Sequence, residues 1–300
     1  MNLKTKMDID NNSNSRPIGI FDSGVGGLTA LRPLISCLPD ESTVYFGDLA
    51  NAPYGNREGE EIKRLSLHAL QFFREQQVKM LVVACNSATA HAIDEIRRDA
   101  PFPVVDVILS SARTAVARTK RKKIGVIATT ATVKSGAYPR IINRMNPELI
   151  VCQSGCPRLA TLIEEGKVDS GVLRRDLIEC HDPIPFDEID TLILGCTHYP
   201  LIKDLIHEVC GDHLNLIDSG AESAREVEIQ LNSEGLRNYS SNSSREEIRG
   251  SQESHEFYVS AHPDRLMKHL KRFLGDSLDH SVINPKVVQN KYVGSPALES

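Results

Sequence analysis

From Pro17 onward, short apolar runs alternate with longer stretches of helical periodicity. The apolar runs are Ile18–Phe21, Thr43–Gly47, Met80–Ala84, Val104–Val107, Ile124–Ala128, Leu149–Cys152, Leu192–Leu194 and Leu214–Ile217. They are rich in β-branched residues and mostly end at Gly, Asp, Cys or Ser, which marks them as strands. The stretches between them predict helices. In Glu58–Gln77, the residues Ile62, Leu65, Ala69, Leu70 and Phe73 fall on one stripe. Further helices are expected over Ala88–Arg98, Ser110–Thr119, Thr132–Met145, Leu173–Cys180 and Leu201–Val209. Pro33 falls inside the helix expected after Gly27 and should kink it or move its start. Phe257–Ser260 predicts a late strand and Pro263–Leu274 an amphipathic helix. Strand–helix alternation of this kind means an α/β protein, with parallel sheets covered by helices on both faces.

Two short patterns occur twice. Ile18-Gly19-Ile20-Phe21-Asp22-Ser23-Gly24 has a partner in Ile124-Gly125-Val126-Ile127-Ala128-Thr129-Thr130. The run MLVVACNSATAHAI ends its apolar part at Cys85, and TLILGCTHYPLI does so at Cys196. The two patterns follow in the same order at nearly the same spacing, which predicts two similar halves. In open parallel sheets, sites form where strands end and helices begin. Asp22, Cys85, Thr129 and Cys196 all sit at such a transition, so one composite site is expected. Two thiols facing one carbon from opposite sides are what a racemase needs.

Two segments break the alternation. Met1–Arg16 is polar and reads as a flexible extension. Ser233–Ser254, rich in Ser, Asn, Glu and Arg, reads as a surface insertion or a disordered loop. Neither the extension nor any other stretch has the apolar length of a membrane span or signal peptide, so a cytoplasmic protein with no membrane partner is expected. The net charge of −5 argues against a nucleic-acid substrate. The one dense basic run, Lys120-Arg121-Lys122-Lys123, reads as a solvated loop. Seven scattered cysteines predict reduced thiols rather than a disulfide scaffold. A zinc site assembled from Cys152, Cys156, Cys180, His181, Cys196 and His198 matches no usual ligand spacing, so no metal is expected.

Cys85 precedes Asn86, Ser87 and a helix, whose free N–H groups should lower the thiol pKa. The alternative is a small buried hydrophobe closing a strand. Duplication favours the first reading. Cys196 has the same context and His198 two residues on, placed to favour a thiolate; alternatively His198 caps a helix. In Asp22-Ser23-Gly24-Val25-Gly26-Gly27, Asp22 either assists a thiol or binds an ammonium, the other reading being a turn with a helix cap. The loop Asp48–Arg57 suits a small ligand. Thr129, Thr130 and Thr132 offer hydroxyls near a helix start. Glu164 is a second candidate acid, with an exposed helical Glu as the competing reading.

The motifs IGIFDSGVGGLTAL, YFGDLANAPYGNR, VVACNSATA, GVIATTATVKSGAY, CPRLATLIEEG, LILGCTHYPLI and FYVSAHPDRLMKHLKRFLG together resemble the bacterial glutamate racemase family. The resemblance implies two flavodoxin-like domains related by pseudo-symmetry, with the active site between them. The first domain would comprise 17–110 plus 215–285, with a polar insertion at 233–255. The second would be 111–214, flanked by the 1–16 extension and a 286–300 tail. The implied activity is cofactor-independent interconversion of L- and D-glutamate, supplying D-glutamate for peptidoglycan. Cys85 and Cys196 would be the two acid–base groups. Asp22 would assist Cys85, and His198 with Glu164 would assist Cys196. Asp22, Ser23, Pro53, Tyr54, Gly55, Asn86, Ser87, Thr129, Thr130, Thr132, Thr197 and His198 would hold the substrate. A homodimer is compatible with this picture. The rival readings are a racemase of another acidic amino acid such as aspartate, an amino-acid-binding protein, and a redox sensor on the same scaffold.

Overall fold

The computed structural model describes residues 14–168, 170–180, 183–239 and 255–288. Two sheets form its frame, and both are wholly parallel. The first contains β1 (Ile18–Asp22), β2 (Thr43–Gly47), β3 (Met80–Val83), β4 (Val104–Asp106), β9 (His255–Val259) and β10 (Lys286–Val287). Its order is β10-β9-β2-β1-β3-β4. The second sheet contains β5 (Lys123–Ala128), β6 (Ile150–Gly155), β7 (Thr191–Gly195) and β8 (Asn215–Asp218), in the order β6-β5-β7-β8. Strands β2, β1, β3 and β4 thus have counterparts in β6, β5, β7 and β8. This is the pseudo-symmetry that the repeated motifs imply. Strands β9 and β10 extend the first sheet alone.

Each central strand is buried along its length, as the unbroken apolar runs require. The helices connecting the strands include α1 (Leu28–Cys37), α2 (Gly59–Glu75), α3 (Asn86–Asp99), α4 (Val107–Arg118), α5 (Thr130–Lys134) and α6 (Ala137–Met145). The second half adds α7 (Leu159–Glu164), α8 (Gly171–Glu179), α9 (Lys203–Cys210) and α10 (Ser219–Glu234), and α11 (Pro263–Leu274) follows β9. Helices α4 and α10 follow equivalent strands and pack on one another, which joins the halves. Their apolar side chains belong to one core that spans both sheets.

Several expectations change. Strand β8 pairs with β7, so the second sheet extends past the expected boundary at 214. Strand β10 pairs with β9, inside the segment expected as a tail. Pro33 neither ends α1 nor delays its start. The single helix expected over Thr132–Met145 is two, separated at Gly136, whose φ of 64° no helix accommodates. The first residues of the expected insertion are structured: α10 runs to Glu234, and Asn238 bonds the Glu41 carboxylate and the Asp40 carbonyl. The rest, 240–254, lies outside the described residues. In the N-terminal extension, the Asn14 carbonyl accepts a 2.6 Å bond from the buried Lys79 ammonium; residues 1–13 lie outside the described residues. Cys156 and Cys180, expected as separate thiols, are within bonding reach, their Cα atoms 5.8 Å apart, because α7 and α8 pack together. Among the described residues, no helix is long and apolar enough to cross a membrane.

Candidate active site

Strand order reverses between β1 and β3 in the first sheet and between β5 and β7 in the second. Those are the points where parallel sheets bind ligands, beyond the carboxyl ends of the strands. Cys85 follows β3 and Cys196 follows β7. Both line one cavity, together with Ser23, Pro53, Tyr54, Gly55, Asn86, Ser87, Thr129, Thr197 and His198. The sheets are held close at this point. Gly26, in the loop after β1, has no room for a side chain: a Cβ there would collide with Thr197 Oγ1 and lie 2.7 Å from the His198 ring.

Cys85 is buried. The thiol is 5 % exposed and donates to Ser23 Oγ at 3.5 Å, while its sulfur accepts from the Ala88 N–H at 3.5 Å. The helix-start contact expected to lower its pKa is therefore present, yet the pKa is pushed up to about 12. Burial dominates, and the neighbouring Asp22 carboxylate adds to it. Asp22 is itself buried behind the cavity rather than lining it. Its carboxylate accepts from the Gly24 N–H at 2.8 Å and the Thr197 hydroxyl at 3.5 Å. Burial raises its pKa as well, against the pull of His198 and the Gly24 and Gly27 amides.

The Cys196 side carries a relay. His198 Nδ1 lies 3.8 Å from Cys196 Sγ, and His198 Nε2 lies 3.3 Å from Glu164 Oε2. His198 caps no helix with its side chain. Its pKa rises to about 10: burial opposes the charge, but the bonds to Cys196 and Glu164 outweigh it. Glu164 falls to about 2, because its bonds to His198 and Arg265 overcome its own burial. An imidazolium thus lies between a sulfur and a carboxylate. No α-helix begins directly after Cys196; a 3₁₀ turn at Tyr199–Ile202 intervenes before α9.

Hydroxyls and amides tie the halves together around the cavity. Ser87 Oγ meets Thr129 Oγ1 at 2.9 Å, and Thr129 meets Thr132 at 3.0 Å. Asn86 accepts from the Tyr138 hydroxyl at 2.8 Å. Within the first half, Tyr54 donates to Asp48 at 2.6 Å. Three expected substrate ligands are absent from the lining. Asp22 is one. Thr132 is fully buried behind Thr129 and Ser87, and Thr130 lies against Gly155 at the end of β6. Glu164, expected as an acid in the cleft, stands behind His198 and does not line the cavity. Conversely, Pro157, Ala160, Thr161 and Gly195 line it without having been expected as ligands, as does Asn56 of the Asp48–Arg57 loop. They lie within the motifs, where no local pattern separates them from their neighbours. Arg265 also escaped notice, for it reaches Glu164 from 101 residues away.

A family model described as Asp/Glu/Hydantoin racemase matches residues 30–227. The glutamate racemase of Neisseria meningitidis serogroup B is 41% identical over 272 residues, covering 90% of this chain and 97% of its own. Among solved structures, glutamate racemase isoform RacE1 from Bacillus anthracis superposes with a TM-score of 0.83 at 33% identity, covering 92% of this chain and 98% of that one. Glutamate racemase from Francisella tularensis in complex with D-glutamate gives a TM-score of 0.80 at 33% identity, with the same coverage.

Proposed function

The chain belongs to the aspartate/glutamate/hydantoin racemase family, and on that footing we propose that it interconverts L- and D-glutamate with two thiols and no cofactor. The observation that carries this reading is the pair of cysteines, one from each half, lining a single cavity. A binding protein needs no such pair.

The difficulty of the reaction is the weak acidity of the Cα–H bond. In the L-to-D direction, Cys196 takes the α-proton as thiolate. The electron pair is held at Cα and the adjoining carboxylate, and the Cys85 thiol delivers a proton to the opposite face. The two cysteines exchange roles in reverse. The electrostatics suit this division. His198, held as imidazolium, balances negative charge on the Cys196 sulfur. Cys85, pushed up to about 12, starts as the protonated acid. When it acts as base, the substrate ammonium supplies positive charge beside the Cys85 sulfur, and buried Asp22 helps to attract that ammonium. Ser23, Asn86, Ser87, Thr129 and Thr197 are polar groups available to the carboxylates, while Pro53, Tyr54 and Gly55 shape the wall. Thr132 and Glu164 act from behind, fixing Thr129 and His198. The reading places the enzyme in the cytoplasm, where catalytic thiols stay reduced, supplying D-glutamate for peptidoglycan.

Circular dichroism of L-glutamate and of L-aspartate incubated with the protein tests the substrate. Decay of the glutamate signal to zero, with aspartate unchanged, is the expected result. Decay with aspartate alone would transfer the assignment to that amino acid.

A further inference from the structure

Helix α11 belongs to the half that carries Cys85, since it follows β9 of the first sheet. It nevertheless packs its side chains under the Cys196 side. Arg265 Nε donates to Glu164 Oε1 at 2.6 Å. Arg272 donates to the carbonyls of Ile163 and Glu164 at 2.9 and 3.1 Å. Phe273 meets the His198 ring edge-on, with centroids 5.3 Å apart. His269 stands 4.0 Å from the same carboxylate oxygen that Arg265 binds. Glu164 therefore has one oxygen for His198 and the other for Arg265.

That division fixes the carboxylate. With one oxygen engaged by Arg265, the other has a single orientation, directed at His198 Nε2, and His198 Nδ1 is then aimed at Cys196 Sγ. Neither Arg265 nor Glu164 lines the cavity. We propose that Arg265 is a positioning residue for the Cys196 half-reaction: acting through Glu164 and His198 across the boundary between the halves, it holds the Cys196 base in its productive geometry. The role rests on the two-thiol reading above. It also gives α11 a task beyond covering the first sheet, because its Arg265 then completes the Cys196–His198–Glu164 relay from the other half.

The test compares wild type with Arg265→Met, Arg265→Lys and Arg272→Met in the full-length protein. Each is assayed with L- and D-glutamate, plain and deuterated at Cα. A two-thiol reaction has one barrier at each cysteine. Raising the Cys196 barrier alone makes proton transfer at Cys196 limiting in both directions, as removal from L-glutamate in one and delivery to the carbanion in the other. The isotope effect on kcat/KM should then rise with deuterated L-glutamate and fall toward its equilibrium value with the D enantiomer. For Arg265→Met the expected loss is at least about tenfold in kcat, since misplaced catalytic groups cost that much or more. KM should stay within about twofold, with most activity restored in Arg265→Lys.

General loosening of the interface predicts a different pattern. Both isotope effects would move together, melting temperature would fall with activity, and Arg265→Met would match Arg272→Met, which loses only bonds to main-chain carbonyls. That pattern, or an Arg265→Met enzyme with wild-type kcat and isotope effects, overturns the proposal while leaving the two-thiol reading intact. Wild type that racemises no glutamate overturns both.

Discussion

Cys85 is subject to two opposing influences. The start of α3 offers its sulfur an N–H, while burial and the Asp22 carboxylate push its pKa up to about 12. The helix start is visible in Cys-Asn-Ser; the burial depends on everything packed around it and is not. The cysteines themselves were legible because an apolar run ending in Cys is a local pattern and it occurs twice. Arg265 was not, because its partner Glu164 lies in another element of the other half and no local motif joins them. The same relay sets a pH dependence. His198, raised from 6.5 to about 10, contributes stability that is fully present below pH 6.5 and lost as pH climbs through 10. Glu164, lowered from 4.5 to about 2, contributes stability present above pH 4.5 and lost as pH falls through 2. Denaturant unfolding of Glu164→Gln against wild type should show its largest stability gap between pH 4.5 and 6.5. The gap should narrow on both sides, though the bond to Arg265 keeps it open at high pH. A gap independent of pH would show that the pair is not ionised as described.

Most strands and helices could be read from periodicity alone, because each central strand is buried and each long helix shows one apolar stripe. One misread element turns on a backbone choice that apolar spacing does not encode. The stripe expected over Thr132–Met145 continues across Ser135-Gly136, yet the left-handed φ of Gly136 splits it into α5 and α6. The Gly-rich loop after β1 was recognisable, but the reason for Gly26 is the approach of Thr197 and His198 from the other half. These two glycines should respond differently to alanine. At Gly136 nothing lies within 4 Å of the added carbon, so Gly136→Ala meets only backbone strain. It should lose about 1 kcal/mol of stability and keep its turnover. Gly26→Ala forces the Cys196 side away from the first half and should lose turnover by about 10²-fold. Melting curves and racemisation rates on both variants check this. Turnover lost at Gly136→Ala and spared at Gly26→Ala would contradict it.

Across the whole molecule, the repeated motifs mark corresponding strands, β1 with β5 and β3 with β7, in sheets of matching order. The halves were therefore legible, but their borders were less so. Strand β8 looks like any other apolar run, and nothing in Asn-Leu-Ile-Asp says that β7 is its neighbour rather than a strand of the first sheet. Pairing across a sheet is a property of the assembled fold. So is the site, which exists only because one half brings Cys85 to the same cavity where the other brings Cys196. The most direct test is deuterium entry at Cα of L- and D-glutamate in heavy water, followed by NMR, for wild type, Cys85→Ser and Cys196→Ser. Wild type should exchange and invert both enantiomers, and each single variant should lose inversion by at least about 10²-fold. Inversion near the wild-type rate in either variant would mean that one thiol suffices, and that the two halves do not share the chemistry.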